Sequence, residues 1–226
     1  MSVLKTILGL SIVSMIFPLL IFLFSGRLDW VMAWAVTFIA VVGTAGNRLL
    51  LLEIHPDLME ERANSMSAEG AKSWDRILSP MMAFTPFLVL AFSALDDRFD
   101  WSMNLPIGVQ FTGLVFIALG YSIVTWAMVA NRFFSGVVRI QKDRNHHVVE
   151  SGPYSFVRHP GYLGSLIACC GFSLALGSIW ALVIVLFLTI LTVVRTKLED
   201  DTLQRELTGY SEFAKRTPHR LIPGMW

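Results

Sequence analysis

Cysteine is almost missing from this chain of 226 residues. The two that occur, Cys169 and Cys170, are adjacent inside an apolar run, so neither a disulfide framework nor a cysteine-based zinc site can be built from them. They read as helix-packing residues. Charge is scarce as well: 15% of the residues are charged against 54% hydrophobic, and the mean hydropathy is +0.60. Such a balance excludes an ordinary water-soluble domain of this length and makes a membrane the natural solvent. A net charge of +1 does not suggest a nucleic-acid partner. No strand, glycine-rich turn and helix of the nucleotide-binding kind is found, no internal repeat, and no low-complexity stretch that would set off a second domain.

What the sequence does have is long apolar segments. The first, Val3 to Ser25, carries Lys5 as its only charge and is long enough to cross a hydrocarbon core of roughly 30 Å at about 1.5 Å per residue. A cleaved signal peptide is the competing reading. The apolar stretch exceeds the usual signal core, and Gly26-Arg27-Leu28-Asp29-Trp30 stands where a small-residue cleavage site would be sought, which favours a retained helix. Further segments run from about Trp30 to Leu52, Ile77 to Leu95, Leu105 to Ala130 and Tyr162 to Val194. The last is too long for one simple crossing. Gly177-Ser178 divides it, so the expected fold is all-α and polytopic, with about six transmembrane segments including a C-terminal helical hairpin; one long tilted helix is the alternative.

Charge placement tests this topology independently of segment length. With six segments, only Arg27 and Arg98 of the 18 basic residues fall on one face, and all others fall on the opposite one. Lys and Arg accumulate on the cytoplasmic side, so both termini are expected in the cytoplasm; five segments would put the basic C-terminus outside. Three water-side stretches lie on the basic face: His55 to Arg76, Asn131 to Pro160 and Arg195 to Trp226. The first is explained as a solvated or interfacial connector without a function of its own.

The run from His146 to Gly164 is not an ordinary loop. Gly152-Pro153 favours a turn, and Pro160 biases His159 towards an extended conformation while suiting the first turn of a following helix. That helix begins beside Arg158 and His159. Its free N–H groups and positive dipole end, with the guanidinium, would form a site for a carboxylate or phosphate at the membrane surface.

The pattern Gly152-Pro153-Tyr154, then Arg158-His159-Pro160, then Tyr162 resembles the signature of the isoprenylcysteine carboxyl methyltransferases, a family of integral membrane enzymes with phospholipid N-methyltransferases as more distant relatives. A second block resembles the C-terminal region of the same family: Arg195-Thr196-Lys197-Leu198-Glu199-Asp200, then Leu203, Leu207, Gly209-Tyr210, Phe213 and Arg220-Leu221-Ile222-Pro223-Gly224. The resemblance covers roughly Asn131 to Trp226, so residues 1–130 would supply N-terminal transmembrane helices and residues 131–226 the catalytic region of a single membrane domain. It implies S-adenosyl-L-methionine as cofactor, held at cytosolic loops by Gln141, His146, Val148, Val149, Tyr154, His159, Tyr162 and Glu199, with Arg158 beside the helix terminus and Arg195 facing the substrate. The implied acceptor is lipid-like, with the carboxylate of a prenylated cysteine as one candidate. The stretch between Gln141 and His146 is shorter than in eukaryotic members, and His147 replaces a position that is often acidic there.

The residues themselves agree in part. Arg195 and Glu199 are four apart on a helix leaving the membrane and project from one face. A plain surface ion pair has the same spacing, and Tyr154 and Tyr162 suit an interfacial aromatic role as well as an adenine. Neighbouring histidines such as His146-His147 point apart on a helix, and no further ligand completes a metal spacing, so no metal is expected. Leu203, Leu207 and Tyr210 form a helical stripe, either a lid or an interfacial anchor. Two other functions remain: an NAD(P)H-dependent membrane reductase of the sterol reductase type, and a non-catalytic lipid-binding membrane protein.

Overall fold

The computed structural model describes residues 15–103 and 105–226, and among these every regular element is a helix. The first part of the Val3 to Ser25 segment, with Lys5, lies outside the described residues; its remainder forms α1, Met15–Ser25. There follow α2 (Val31–Ile54), α3 (Pro56–Asn64), α4 (Asp75–Phe99), α5 (Ile107–Ala130), α6 (Pro160–Ala175), α7 (Ala181–Glu206) and α8 (Tyr210–Arg216). Four of them, α2, α4, α5 and α7, are long and apolar enough to cross a membrane, and α1 and α6 are shorter apolar helices. The polytopic all-α architecture expected from the sequence is therefore present. The buried centre is shared by six helices, with Ile21, Val36, Leu90, Ile117, Phe172 and Val185 each supplied by a different one. Phe38, Phe111, Val115, Leu186 and Ile190 stay exposed around the outside, as lipid-facing side chains do.

The division at Gly177-Ser178 is a hairpin. Gly177 adopts φ +73°, where a Cβ would be strained, and ends α6 with Ser178 N–H donating to Ser173 O at 2.9 Å and Gly177 N–H to Leu174 O at 3.1 Å. Ser178 Oγ then accepts the Ala181 N–H at 3.0 Å and starts α7. The tip is pinned to the α4–α5 connection by Asp96. Its carboxylate accepts Ser102 N–H at 2.7 Å and Ser102 Oγ at 2.6 Å, as well as the Ser178 hydroxyl.

The helices α5 and α6 are antiparallel neighbours in unusually close contact, because small residues face each other. A Cβ on Gly120 would stand 2.7 Å from that of Ala168 and 2.5 Å from Gly164 O, and one on Gly171 would stand 2.7 Å from Gly113 O. Between membrane helices, where lipid offers no hydrophobic drive, such backbone approach supplies the dispersion contacts that hold the pair. This seam fixes where α6 begins, and so where His159 stands. Gly120→Ala is therefore expected to lower stability by about 1–3 kcal/mol through overpacking, whereas Gly46→Ala, whose Cβ would meet nothing within 4 Å, is tolerated. Thermal unfolding of the two variants in detergent checks the contrast.

Candidate active site

At the end of the bundle opposite the hairpin tip, the loop 131–159 and the C-terminal segment close over a cavity of about 640 Å³. Gln141, His146, Val148, Val149, Tyr154, Arg158, His159, Tyr162, Arg195 and Glu199 all line it. Residues far apart in the chain are thus gathered by the fold. Their engagements differ, however.

The wall formed by α6 and α7 carries the groups best able to meet a ligand. The Glu199 carboxylate accepts the Tyr162 hydroxyl at 2.5 Å and remains 3.9 Å from His159 Nδ1. The rings of His159 and Tyr162 stack in parallel, 5.7 Å apart at 8°. His159 Nε2 is buried without a hydrogen-bond partner, 3.5 Å from Asp200. Arg195 and Glu199 do reach the same cavity, yet they do not pair with each other. Arg195 lies 5.3 Å over the Tyr162 ring and gives Nε and Nη2 to the fully buried carboxylate of Asp75, at 2.6 and 2.9 Å.

That pairing corrects one expectation. Asp75 belongs to the stretch taken for a solvated connector, but it opens α4, accepts the Val138 N–H at 2.6 Å and balances Arg195. It is buried because α7 and the 134–138 loop close over the start of α4. Arg158 departs from expectation too. Rather than standing ready for an anion, its guanidinium grips Asp200 at 2.8 and 3.0 Å, and donates to the carbonyls of Thr217 at 2.7 Å and Pro218 at 2.9 Å. Asp200, wholly buried, also accepts from Arg220 at 2.9 Å, Gln204 at 2.9 Å and the Tyr210 hydroxyl at 3.0 Å. The backbone N–H groups of Arg158 and His159 donate to the carbonyls of His219 and Arg220. The anion expected at this helix start is therefore largely supplied from within the chain.

The loop side is also partly self-satisfied. Gln141 is buried with its amide donating to Phe133 O at 2.8 Å and accepting from Arg144. Its N–H donates to His146 Nδ1 at 3.3 Å, which places the ring proton on Nε2. Burial, then the charges of His147, Arg144 and Arg139, lower the His146 pKa to about 4, so this ring is neutral near pH 7. It packs on Phe133 at 4.6 Å. Tyr154 is buried, accepts from Asn131 at 3.2 Å, and is kept a neutral phenol by that burial. Val148 and Val149 form an apolar floor with Leu203, Leu207, Tyr210 and Phe213. The stripe after Glu199 thus folds over the cavity. Among the described residues no three metal-ligating side chains gather.

The cavity extends beyond the C-terminal half. Ser79, Pro80, Ala83, Phe84 and Pro86 of α4 line it together with Leu188 and Thr192 of α7. Pro80 and Pro86 lie inside α4, and each removes a ladder hydrogen bond.

Comparison with known proteins bears on this arrangement. Residues 109–208 match the phospholipid methyltransferase family. The chain is 31% identical over 110 residues to a protein-S-isoprenylcysteine O-methyltransferase of Schizosaccharomyces pombe, covering 48% of this chain and 41% of that protein. It is 38% identical over 76 residues to the protein of the same name in Saccharomyces cerevisiae, covering 33% of this chain and 32% of that one. A Delta(14)-sterol reductase of Mus musculus is 31% identical over 156 residues, covering 63% of this chain and 36% of the reductase. The chain spans about two fifths or less of the length of these relatives. These matches support the resemblance to the isoprenylcysteine carboxyl methyltransferases, and the matched family region starts upstream of Asn131, inside α5.

Since Asp200 neutralises Arg158 in a buried place, Asp200→Asn leaves a guanidinium without its counter-charge. The expected cost is about 3–5 kcal/mol, read as a lower unfolding temperature and faster proteolysis of the C-terminal segment. Asp201→Asn, on a partly exposed neighbour, is the control and is expected to behave as the parent.

Proposed function

We propose that this chain is a membrane-embedded methyltransferase that uses S-adenosyl-L-methionine and acts on a lipid-like acceptor, with the carboxylate of a prenylated cysteine as the leading candidate. The observation that carries the reading is the convergence of the Glu199, Tyr162 and His159 side chains on a large, mostly apolar cavity at the membrane boundary. The donor set suits such a cofactor: a carboxylate for a cationic ligand and aromatic faces for a base. When bound, S-adenosylmethionine supplies a methyl group on a sulfonium centre.

The protein's own share is placement. Tyr162 fixes the Glu199 carboxylate through its hydroxyl, so the counter-charge is oriented in advance. The region from Val148 to Tyr154, with Gln141 and His146 behind it, forms the second wall. Arg158, locked to Asp200, holds His159 in position instead of touching ligand. Arg195 keeps Nη1 without a partner among the described residues and can direct it at the acceptor. Leu188, Pro80, Ala83 and Phe84 exclude water and suit a hydrocarbon tail. An acceptor that is already a carboxylate needs no base, so proximity and alignment supply much of the barrier reduction.

The sterol reductase match, which covers 63% of the chain, favours one rival reading, a reductase using a nicotinamide cofactor. Ligand-induced thermal stabilisation separates the two: S-adenosylhomocysteine is expected to raise the unfolding temperature and NADPH to leave it unchanged. The reverse result would replace the proposal by the reductase. Glu199→Gln keeps the size and the contact with Tyr162 but loses the charge, and is expected to weaken S-adenosylmethionine binding by roughly tenfold; Arg205→Gln, exposed on the same helix, is not. Calorimetric titration decides, and parental affinity in Glu199→Gln would remove it from the cofactor shell. We place both termini in the cytoplasm on the distribution of basic residues. A single cysteine at position 220 should then resist impermeant reagents in intact cells and react after lysis.

A further inference from the structure

Four guanidinium groups line the cavity, and three are neutralised by the protein itself. Arg139 pairs with Glu61 at 2.7 Å, Arg158 with Asp200 at 2.8 Å and Arg195 with Asp75 at 2.6 Å. Arg62 of α3 is the exception: it forms no ion pair among the described residues. Its Nη1 donates to Phe134 O at 3.2 Å and its guanidinium lies 5.6 Å over the Phe134 ring. The adjacent carboxylate, Glu61, is already held by Arg139 and by the Ser135 hydroxyl at 2.9 Å.

This is a costly way to keep a cation. Burial, and then the nearby charge of Arg195, depress the pKa of Arg62 from its ordinary value. A charge left this way in a partly desolvated place is relieved by an anion. Position says where that anion belongs. Arg62 reaches Phe134 O, while Arg195 at 3.0 Å and Ser79 at 2.6 Å reach Gly136 O, so Arg62 and Arg195 approach one short loop from α3 and α7. Ser79 is followed along α4 by Pro80, Ala83 and Phe84, the apolar part of the lining. S-adenosylmethionine carries one net positive charge at neutral pH, which Glu199 offsets, so among the four lining guanidinium groups Arg62 is still the one without a carboxylate.

We propose that Arg62 anchors the anionic head of the lipid acceptor, a carboxylate or a phosphate, while the tail lies along α4. The inference rests on the reading of this cavity as the acceptor and cofactor site, but it is tested by binding. Two pairs of probes, each differing only in head charge, are compared on the purified full chain in detergent. One pair is N-acetyl-S-farnesyl-cysteine and its carboxamide; the other is farnesyl phosphate and farnesol. Thermal stabilisation by each is titrated for the parent, Arg62→Gln and Arg62→Lys, beside stabilisation by S-adenosylhomocysteine.

In one pair the parent should prefer the anionic probe by about tenfold or more, and Arg62→Gln should lose that preference. Arg62→Lys, which keeps the charge without the planar fork, should retain part of it. Cofactor-product affinity should stay within about twofold in all three proteins. The pair that shows the preference identifies the head as carboxylate or phosphate. A preference that survives in Arg62→Gln, a parent that prefers neither anion, or a parallel fall in S-adenosylhomocysteine affinity would each overturn the anchor. If S-adenosylhomocysteine stabilises none of the proteins while the anion preference vanishes in Arg62→Gln, the methyltransferase reading falls and the anchor stands.

Discussion

The buried carboxylate of Asp200 organises the loop-rich end of the molecule. One side chain near the end of α7 receives the guanidinium of Arg158, the guanidinium of Arg220, the amide of Gln204 and the hydroxyl of Tyr210. It thereby joins the start of α6, the end of α7, α8 and the C-terminal segment. The α6–α7 wall of the cavity is set by this joint. His159 and Tyr162 stand where they do because the residue before them is clamped, and Glu199 because the residue after it is. A second buried pair, Asp75 with Arg195, does the same between α4 and α7. Both pairs cost desolvation, which their additional hydrogen bonds help to offset, and both fix geometry rather than merely adding stability.

Much of the fold could be read from the sequence because bilayer physics leaves a narrow choice. Segment length, the Gly177-Ser178 interruption and Pro160 mark the long apolar helices, the hairpin and the start of α6 in the sequence itself. The ten candidate site residues line one cavity. Pairing was not legible. Arg195 and Asp75 are 120 positions apart, and no local spacing announces that a carboxylate at the foot of α4 will neutralise a cation on α7. The four-residue spacing of Arg195 and Glu199 says they share a face but not that each finds another partner. The stretch from His55 to Arg76 misled because its mixed charges resemble a solvated linker; burial of Asp75 and the approach of Arg62 to Phe134 arise only when α3 and α4 fold against the 131–159 loop.

Two polar side chains of the loop wall are held neutral by burial. His146 is desolvated against Phe133 and carries its proton on Nε2, while Tyr154 is held as a phenol. Lowering the pH from about 6.5 towards 4 asks His146 to protonate in the unfolded chain before the folded one, so its contribution is full above that window and is lost through it. Near neutrality His146 and Tyr154 therefore offer the cavity polarity without charge.

The length of α6 carries a consequence for the end of the bundle where the cavity lies. Its 16 residues reach only about 24 Å, short of a hydrocarbon core of roughly 30 Å. The hairpin tip, bound into the polar network of Asp96, Ser102 and Ser178, is suited to the headgroup region, so the deficit falls at the other end, where α6 begins. Arg158 and His159, at that end, are buried, so the shortfall is covered by the C-terminal segment folded across them rather than by lipid. A short α6 thereby leaves room for the cavity between its first turn and the segments folded across it.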